Sequence, residues 1–263
     1  MTKLQDQVIW ITGASSGIGE ALAQQLSPLP VKLILSARRA EELERVKQSC
    51  AQPDNIQTLT LDLTEYNSHA QKALDAIDCF GRVDVLINNG GISQRSLVAE
   101  TQFSVDQRLM EVNYLGTVSL TKSILPHMLE RGSGHLAVVT SLTGVFGSPY
   151  RSGYAASKHA LHGFFDSLRA ELEDKGIRAT IAAPGFVKTQ VSINALVGDG
   201  SKANVMDDAQ ANGISAEKCA NAIIRAIKNN KREIYVGKEA YGAYVRRYLP
   251  GLFAWMIKRV KVR

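Results

Sequence analysis

The stretch SGYAASKHALHGFF places Tyr154 and Lys158 four residues apart in what otherwise reads as an amphipathic helix. Residues at positions i and i+4 are neighbours on a helix surface, so both side chains can face one small molecule. A free phenol has a pKa near ~10, and a nearby cation favours the phenolate and brings that pKa toward neutral pH. The spacing therefore predicts proton transfer by Tyr154, with Lys158 as the cation that assists it.

A second hydroxyl comes from Ser141, which ends the apolar run HLAVVTS before this helix. In parallel sheets, ligands bind outside the carboxyl ends of strands, so Ser141 and Tyr154 can converge on one carbonyl oxygen. Ser141 alone would be interpreted as a cap or a turn residue. Beside Tyr154 and Lys158 it indicates a site for carbonyl chemistry.

The elements that must position these residues follow a regular rhythm. Short β-branched or leucine-rich runs alternate with helical patterns, and the runs are continuously apolar, as strands buried on both faces should be. This pattern predicts an α/β fold, a single-domain Rossmann-type doubly wound parallel β-sheet flanked by helices over residues 1–263. The predicted strands span residues 8–12, 31–37, 56–62, 83–88, 135–141, 177–183 and 233–236. A polar, glycine-rich segment at about 185–215 is interpreted as a substrate lid, and about 237–263 as a C-terminal extension.

Three glycines, Gly13, Gly17 and Gly19, follow the first predicted strand in TGASSGIGEALA. Glycines there allow a tight turn and a close approach of the backbone to a pyrophosphate, whose charge then lies at a helix N-terminus. A tight β-to-α turn needs glycine in any case, so the triplet alone would be weak evidence. Its place between the first strand and the first helix of a repeating β/α chain predicts dinucleotide binding.

The end of the second predicted strand bears on the choice of dinucleotide. Ala37, Arg38 and Arg39 stand there, and the next acidic residue, Glu41, lies already in the following helix. An NAD site would place an acidic residue there to bind the ribose 2′-hydroxyl, whereas a guanidinium binds the 2′-phosphate of NADP(H). Two solvated arginines are the alternative, but cations at a helix start oppose the helix dipole, so we predict NADP(H).

Six motifs in this order resemble the short-chain dehydrogenase/reductase family: TGASSGIG, NNGG, VNYLG, VVTSLTG, YAASK and APG. The resemblance covers roughly residues 5–236 and implies a catalytic set of Asn113, Ser141, Tyr154 and Lys158. In that set, Asn113 would hold a water that relays protons to Lys158. Lys158 would also bind the ribose hydroxyls beside the nicotinamide.

The same resemblance implies the cofactor contacts. Asp62, at the end of the third predicted strand, would contact the adenine, although an aspartate before a helix is also a common cap. Gly90 stands where the family usually has alanine, so we expect the turn to survive with slightly looser packing against the cofactor. The implied NADP(H)-binding residues are Gly13, Ser15, Ser16, Gly17, Ile18, Gly19, Arg38, Arg39, Asp62, Leu63, Asn89, Gly90, Tyr154, Lys158, Pro184, Gly185, Val187 and Thr189.

A narrower resemblance, in the YAASK helix, the lid and the segment PGLFAWM, is to the 7B-like branch of this family, reductases of acyl- and alkyl-dihydroxyacetone phosphate. That branch carries a membrane anchor that this sequence lacks, so we expect no permanent membrane residence. The branch implies a lipophilic, phosphorylated substrate. Arg95 and Arg151 would bind its anion, and apolar lid residues such as Val191 would cover its acyl or alkyl chain. Surface salt bridges are the alternative role for the two arginines.

Charge and apolar residues concentrate at the end of the chain. The net charge is +6, and much of the excess lies in and just before YLPGLFAWMIKRVKVR. This segment either lies on an anionic membrane, with Leu252, Phe253, Trp255 and Met256 inserted, or packs on a substrate pocket or a neighbouring subunit. The basic residues are neither clustered on a recognition helix nor interleaved with stacking aromatics, so we expect no binding of nucleic acid.

Cysteines and histidines suggest no further chemistry. The 3 cysteines lack a CxxC pair, and neither a signal peptide nor an apolar run long enough to span a bilayer is present, so we expect a cytoplasmic protein, membrane-peripheral at most. His159, His162 and Asp166 share a helix face but read as surface residues, so we expect no metal. The family resemblance further implies a homodimer or homotetramer.

The function that best fits these features is the NADPH-dependent reduction of a lipophilic, possibly phosphorylated carbonyl compound, with Tyr154 as the proton donor. An NADP-dependent oxidation of a secondary alcohol, of steroid or 3-hydroxyacyl type, would use the same residues in reverse. A non-catalytic NADP(H)-binding sensor is the third interpretation, although a pure binder has no need of the full catalytic set.

Overall fold

The predicted strands form one parallel sheet in a computed structural model that describes residues 4–259. Lys261 and Arg263, from the basic end of the sequence, lie outside the described residues. The strands are β1 (Val8–Thr12), β2 (Lys32–Ala37), β3 (Ile56–Thr60), β4 (Val85–Asn88), β5 (Gly134–Val139), β6 (Ile177–Pro184), β7 (Val187–Lys188), β8 (Ile214–Ser215) and β9 (Glu233–Val236). The helices are α1 (Gly17–Leu26), α2 (Ala40–Gln48), α3 (His69–Phe80), α4 (Phe103–Met110), α5 (Gly116–Glu130), α6 (Ser152–Leu172), α7 (Asp208–Ala211), α8 (Ala216–Lys228), α9 (Tyr241–Tyr248) and α10 (Pro250–Ile257).

The strand order of the main sheet is β3-β2-β1-β4-β5-β6-β9, and every neighbouring pair is parallel. The order changes direction at β1, whose neighbours are β2 on one side and β4 on the other. The chain therefore leaves β1 and β4 toward opposite faces, and a crevice opens beyond their carboxyl ends. The predicted fold class, a doubly wound α/β sheet, is confirmed.

Side chains that alternate along each strand fill two separate cores. In β1, Ile9 and Ile11 pack with α1 and α8 on one face of the sheet. Val8 and Trp10 pack on the other face, with α3, α5 and α6. Burial on both faces explains why these strands read as unbroken apolar runs.

The helical segment that carries Asn113 is not a regular α-helix throughout. The helical backbone begins at Phe103, and the π-helical turn Glu111–Leu115 joins α4 to α5. Asn113 lies in that turn and is fully buried. Such turns insert one residue into an α-helix and occur frequently at functional sites. The hydrophobic period alone could not reveal this turn.

The lid and the C-terminal extension are both built onto the crevice. Within the lid, β7 pairs with β8, and Leu196 pairs with Gln94 of the loop after β4. In the extension, Phe253 and Ile257 pack with Phe146, which follows β5. Leu252, Trp255 and Met256 are exposed, so the segment has one face on the body and one in solvent. Within residues 4–259, we find no helix with the length and apolar character to cross a bilayer.

Candidate active site

The turn between β1 and α1 forms a cradle that side chains would fill. Gly13 has a φ of +64°, and a Cβ there would lie 2.7 Å from the Cα of Gly90. A Cβ on Gly19 would lie 2.2 Å from the carbonyl oxygen of Gly13. Ser16 precedes α1 in an extended conformation, and its side chain does not cap the helix. The first N–H groups of α1 therefore face the crevice without a side-chain partner, as a bound pyrophosphate requires.

Hydrogen bonds from the end of β4 hold this turn in place. The Thr12 hydroxyl oxygen accepts from the backbone N–H groups of Asn89 and Gly90, each at 3.0 Å. The Asn89 amide donates to the carbonyl oxygens of Thr12 and Gly13 at 3.1 and 3.2 Å. The two strand ends at the switch point are thus joined directly, so the cradle is rigid before any ligand binds.

Arg38 and Arg39 line the crevice next to this cradle. Both are exposed, and within residues 4–259 neither side chain makes an ion pair or a hydrogen bond. Burial opposes the ionisation of nearby Asp62, but hydrogen bonds from Thr64 and the charges of Arg38 and Arg108 outweigh it and lower the pKa of that carboxyl. Asp62 accepts the Thr64 N–H and hydroxyl at 2.9 and 2.8 Å, so its carboxylate is bound locally in the turn after β3.

A single cleft of about 830 Å³ gathers nearly all of the predicted site residues. It contains Ser141, Tyr154 and Lys158, the glycine turn, both cofactor-side arginines, and the predicted substrate residues Arg95, Arg151 and Val191. Asp62, Leu63, Pro184, Gly185, Val187 and Thr189 complete its wall. Only Gly19 and Asn113, among the predicted residues, do not line it, since both lie behind its wall. The residues present therefore fit an NAD(P) nucleotide.

The structure corrects the predicted effect of Lys158 on Tyr154. Burial raises the pKa of Tyr154, while a hydrogen bond with Ser141 and the charges of Arg151 and Arg95 act in the opposite direction and do not overcome it. The Lys158 ammonium lies 5.8 Å from the centre of the tyrosine ring and donates to the Val139 carbonyl oxygen at 3.0 Å. Its own pKa falls to about 8, because burial disfavours the charged form. The expectation that Lys158 lowers the pKa of Tyr154 is therefore wrong when only the groups of the protein are considered.

Asn113 connects the loop after β4 to the helix that carries Tyr154. Its Oδ1 accepts the Ile92 N–H at 2.8 Å, and its Nδ2 donates to the Ile92 carbonyl oxygen and to Ser157 Oγ, both at 3.0 Å. Both amide N–H bonds are thus used within the protein. The side chain fixes α6 against the sheet, a positional role that the motif alone did not indicate.

Gln94 is a further positioning residue that the sequence did not reveal. Its side chain is fully buried, and its Oε1 accepts the N–H groups of Gly153 and Tyr154 at 2.9 and 3.2 Å. It therefore caps the start of α6, where Arg151 provides no side-chain cap. Gln94 is remote from Tyr154 along the chain, so no local pattern could indicate the contact.

The alternative interpretation of Arg95 and Arg151, as surface salt bridges, requires them to lie at the surface. The structure shows that they do not. Each is at most 5% exposed, and both bind the lid residue Asp207, which is also buried. Arg95 Nε lies 2.6 Å from Asp207 Oδ2, and the nearer Arg151 nitrogen lies 3.4 Å from the same oxygen. Burial and the charge of Arg95 lower the pKa of Arg151 to about 10, against the opposing effect of Asp207. Two guanidinium groups thus share one carboxylate in the wall of the cleft.

Comparisons with known proteins agree with this arrangement. The family model described as short chain dehydrogenase matches residues 7–197. Human dehydrogenase/reductase SDR family member 7 is 43% identical, over 97% of this chain and 77% of that protein. Bovine family member 7B is 41% identical, over 95% of this chain and 80% of that protein. The crystal structure of a short-chain dehydrogenase from Streptomyces avermitilis has a TM-score of 0.81 at 29% identity, covering 97% of this chain and 96% of the other.

Both levels of the resemblance are thereby confirmed, since family members 7 and 7B match nearly the whole chain at similar identity. The matched span contains the glycine turn, the strand-end arginines and the Ser141, Tyr154 and Lys158 group. The chain therefore belongs to the short-chain dehydrogenase/reductase family, and with it to the NAD(P)-dependent oxidoreductases that act on CH–OH and C=O groups.

Proposed function

We propose that this protein is an NADPH-dependent reductase of a lipophilic carbonyl compound. The observation that carries the proposal is the joint placement of Ser141, Tyr154 and Lys158 in one cleft with a glycine cradle. Bound there, the cofactor supplies the hydride that reduces the carbonyl carbon. The protein supplies the proton, and the geometry of the chain decides which groups can do so.

Preference for NADPH over NADH rests on Arg38 and Arg39. An arginine just after β2 whose side chain makes no ion pair or hydrogen bond with residues 4–259 can bind a 2′-phosphate, whereas a carboxylate in that place would repel it. The nearest cleft carboxylate, Asp62, is already engaged by Thr64. A phosphate between the two arginines would gain charge-assisted hydrogen bonds that NADH cannot make.

The protonation state of Tyr154 suits the reduction of a carbonyl. Because burial raises its pKa, the phenol is protonated at neutral pH and is ready to donate to a carbonyl oxygen. Ser141 stabilises the same oxygen as negative charge develops on it. Lys158, with a pKa of about 8, then returns a proton to the phenolate and regains one from solvent in the cleft, and Asn113 and Gln94 hold α6 so that these groups stay in register.

The substrate end of the cleft favours a lipophilic compound with an anionic group. Phe146, Phe186, Val191 and Phe253 provide apolar wall, and Arg95 and Arg151 stand in the same wall. Their positive charges exceed the single negative charge of Asp207, so an anion such as phosphate would find net attraction. An acyl- or alkyl-dihydroxyacetone phosphate combines these features.

The test is a set of NADPH oxidation rates, with NADH in parallel, on acyl-dihydroxyacetone phosphate and on unphosphorylated aliphatic, aromatic and steroid ketones. We expect turnover with NADPH and preference for the phosphorylated compound. Tyr154→Phe should lower kcat by about 10²-fold or more while NADPH affinity is retained, because the variant lacks only the transferable proton. Unchanged turnover in that variant would overturn the catalytic assignment, and rates confined to unphosphorylated ketones would overturn the anion assignment alone.

A further inference from the structure

The helices α9 and α10 present an unusual surface to solvent, which we name the C-terminal face and define as the exposed side chains of residues 241–259. Exposed large apolar side chains concentrate there: Tyr241, Tyr244, Tyr248, Leu249, Leu252, Trp255 and Met256. Tyr241 is 76% exposed and Trp255 56%. Apolar side chains scattered singly need no explanation, but a contiguous patch marks an interaction site.

The charges of this face are all of one sign. Arg247, Lys258 and Arg259 are exposed on it, and residues 241–259 contain no aspartate or glutamate. The guanidinium of Arg259 lies over the ring of Trp255 at 4.0 Å, which places a cation directly beside an aromatic side chain. An occupant of this face must therefore accept apolar insertion and carry negative charge.

The face is held at a fixed angle by its inner side. Phe253 and Ile257, one turn apart on α10, pack into a cluster with Phe146 and Ala243, and the rings of Phe253 and Phe146 are 5.1 Å apart. Arg246 donates to the carbonyl oxygen of Val145. The outer residues Leu252 and Trp255 are thus presented by a helix whose other side is anchored on the protein.

We propose that the C-terminal face docks on the surface of an anionic lipid bilayer. Aromatic and apolar side chains beside arginine and lysine form the combination that inserts at the headgroup boundary, where the rings enter the interface and the cations meet phosphates. A second copy of the chain is disfavoured as the occupant, since a two-fold interface through this face would bring its cations against one another.

Docking would also orient the cleft. Tyr241, Met256 and Ile257 belong to the same two helices and line the cleft, so its wall continues into the docking surface. A lipophilic substrate could then pass from the bilayer into the cleft without crossing water. This step rests on the proposed function, whereas the docking itself does not.

Intrinsic fluorescence gives a direct measurement, because the 2 tryptophans report separately. Trp10 is fully buried and donates to Ser36 Oγ at 2.8 Å, so its emission should not change. Trp255 is half exposed and should shift to shorter wavelength on insertion. We expect the shift, and co-sedimentation, with vesicles of phosphatidylcholine mixed with phosphatidylglycerol, and loss of both at high salt. No shift and no co-sedimentation with these vesicles would overturn the proposal.

Two sets of variants separate the contributions. The double variant Leu252→Ser and Trp255→Ser removes apolar insertion, and the double variant Arg247→Glu and Lys258→Glu reverses charge; none of the four residues lines the cleft. We expect at least a tenfold loss of vesicle binding in each, with unchanged rates on a water-soluble ketone. Leu74→Ser on α3, where the side chain is 54% exposed, is the matched control and should bind as the original chain does.

Other outcomes identify other occupants. Vesicle binding that is equal in the double variants and in the control would overturn the docking surface. A change in oligomeric state of the double variants, measured by sedimentation equilibrium without vesicles, would assign the face to a second copy instead. Inactivity of the original chain on every ketone would count against the proposed function and would leave the vesicle result valid.

Discussion

The two ends of the cleft are built by different means. At the cofactor end, Gly13, Gly17 and Gly19 lie within one β-turn-α unit. Because they have no side chains, they leave the space in which a cofactor can bind. At the substrate end, Arg95, Arg151 and Asp207 come from three distant segments and meet through charge. The first end depends on backbone geometry fixed by local sequence. The second depends on long-range packing that must be complete before the charges meet.

This difference has an energetic side. A glycine cradle costs little to keep open, because its glycines bring no buried charge into it. A buried carboxylate between two guanidinium groups is stable only while all three are present. The substrate end should therefore lose stability when a single charge is removed, whereas the cofactor end should lose cofactor binding when a side chain fills the cradle.

The largest effect is expected for Asp207→Asn. The variant keeps the shape of the side chain but leaves two buried arginines without a countercharge, which should lower the free energy of unfolding by between about 3 and 5 kcal/mol. Urea unfolding of the full chain would measure it. Asp208→Asn is the matched control, since Asp208 is adjacent and exposed.

The same variant also tests whether the two ends are independent. NADPH affinity, measured by fluorescence titration, should stay within about twofold of the original, because distant sites without shared partners behave additively. A parallel loss of NADPH affinity would show that the lid couples the ends. In that case the contrast between them would not hold.

How far each end could be predicted follows from the same contrast. Local sequence determines three features: the seven strands of the main sheet, the glycine turn and the strand-end arginines. The structure contains each of them at the position that the sequence pattern predicted. Asp207 and Gln94 bind partners that are more than fifty residues away along the chain. In the Arg95–Asp207 ion pair, for example, the sequence separation is 112 residues. No periodicity or spacing carries that information. The same holds for the raised pKa of Tyr154, which depends on burial by the assembled fold.

Lys158 lies between the two ends, and its substitution should have an intermediate effect. The residue is 4% exposed, and its pKa falls from 10.5 to about 8 because burial penalises the charged form. Lys158→Met removes this penalty, so at pH 7 the free energy of unfolding should rise by roughly 2 kcal/mol, after the loss of the bond to Val139, while turnover is lost.

The stability difference between the original protein and Lys158→Met should depend on pH. Between pH 8 and 10.5 the unfolded chain binds more protons at Lys158 than the folded chain does, so the stability of the original protein rises with pH across that window. The advantage of the variant should therefore shrink there, and above it the variant should be less stable by about 1 kcal/mol, because only the loss of the bond to Val139 remains. Lys122→Met, at an exposed position of α5, is the control for the same substitution outside the core. A constant difference between the original protein and Lys158→Met at all pH values would contradict a buried, charged Lys158.

The smallest effect is expected for Gly90→Ala at the cofactor end. A Cβ there would meet Leu63 Cδ1 at 2.9 Å, and this atom is the flexible tip of a side chain that can move by a few tenths of an ångström. Alanine also reduces the conformational freedom of the unfolded chain, so the free energy of unfolding should change by less than about 1 kcal/mol.

Gly19→Ala is the matched control, since its Cβ would meet the Gly13 carbonyl oxygen at 2.2 Å, and backbone in a rigid turn cannot move aside. We therefore expect Gly19→Ala to abolish NADPH binding and Gly90→Ala to preserve it. Equal losses of NADPH binding in the two variants would mean that contacts between side chains, and not the backbone, determine binding at the cofactor end. Both ends of the cleft would then depend on side-chain contacts.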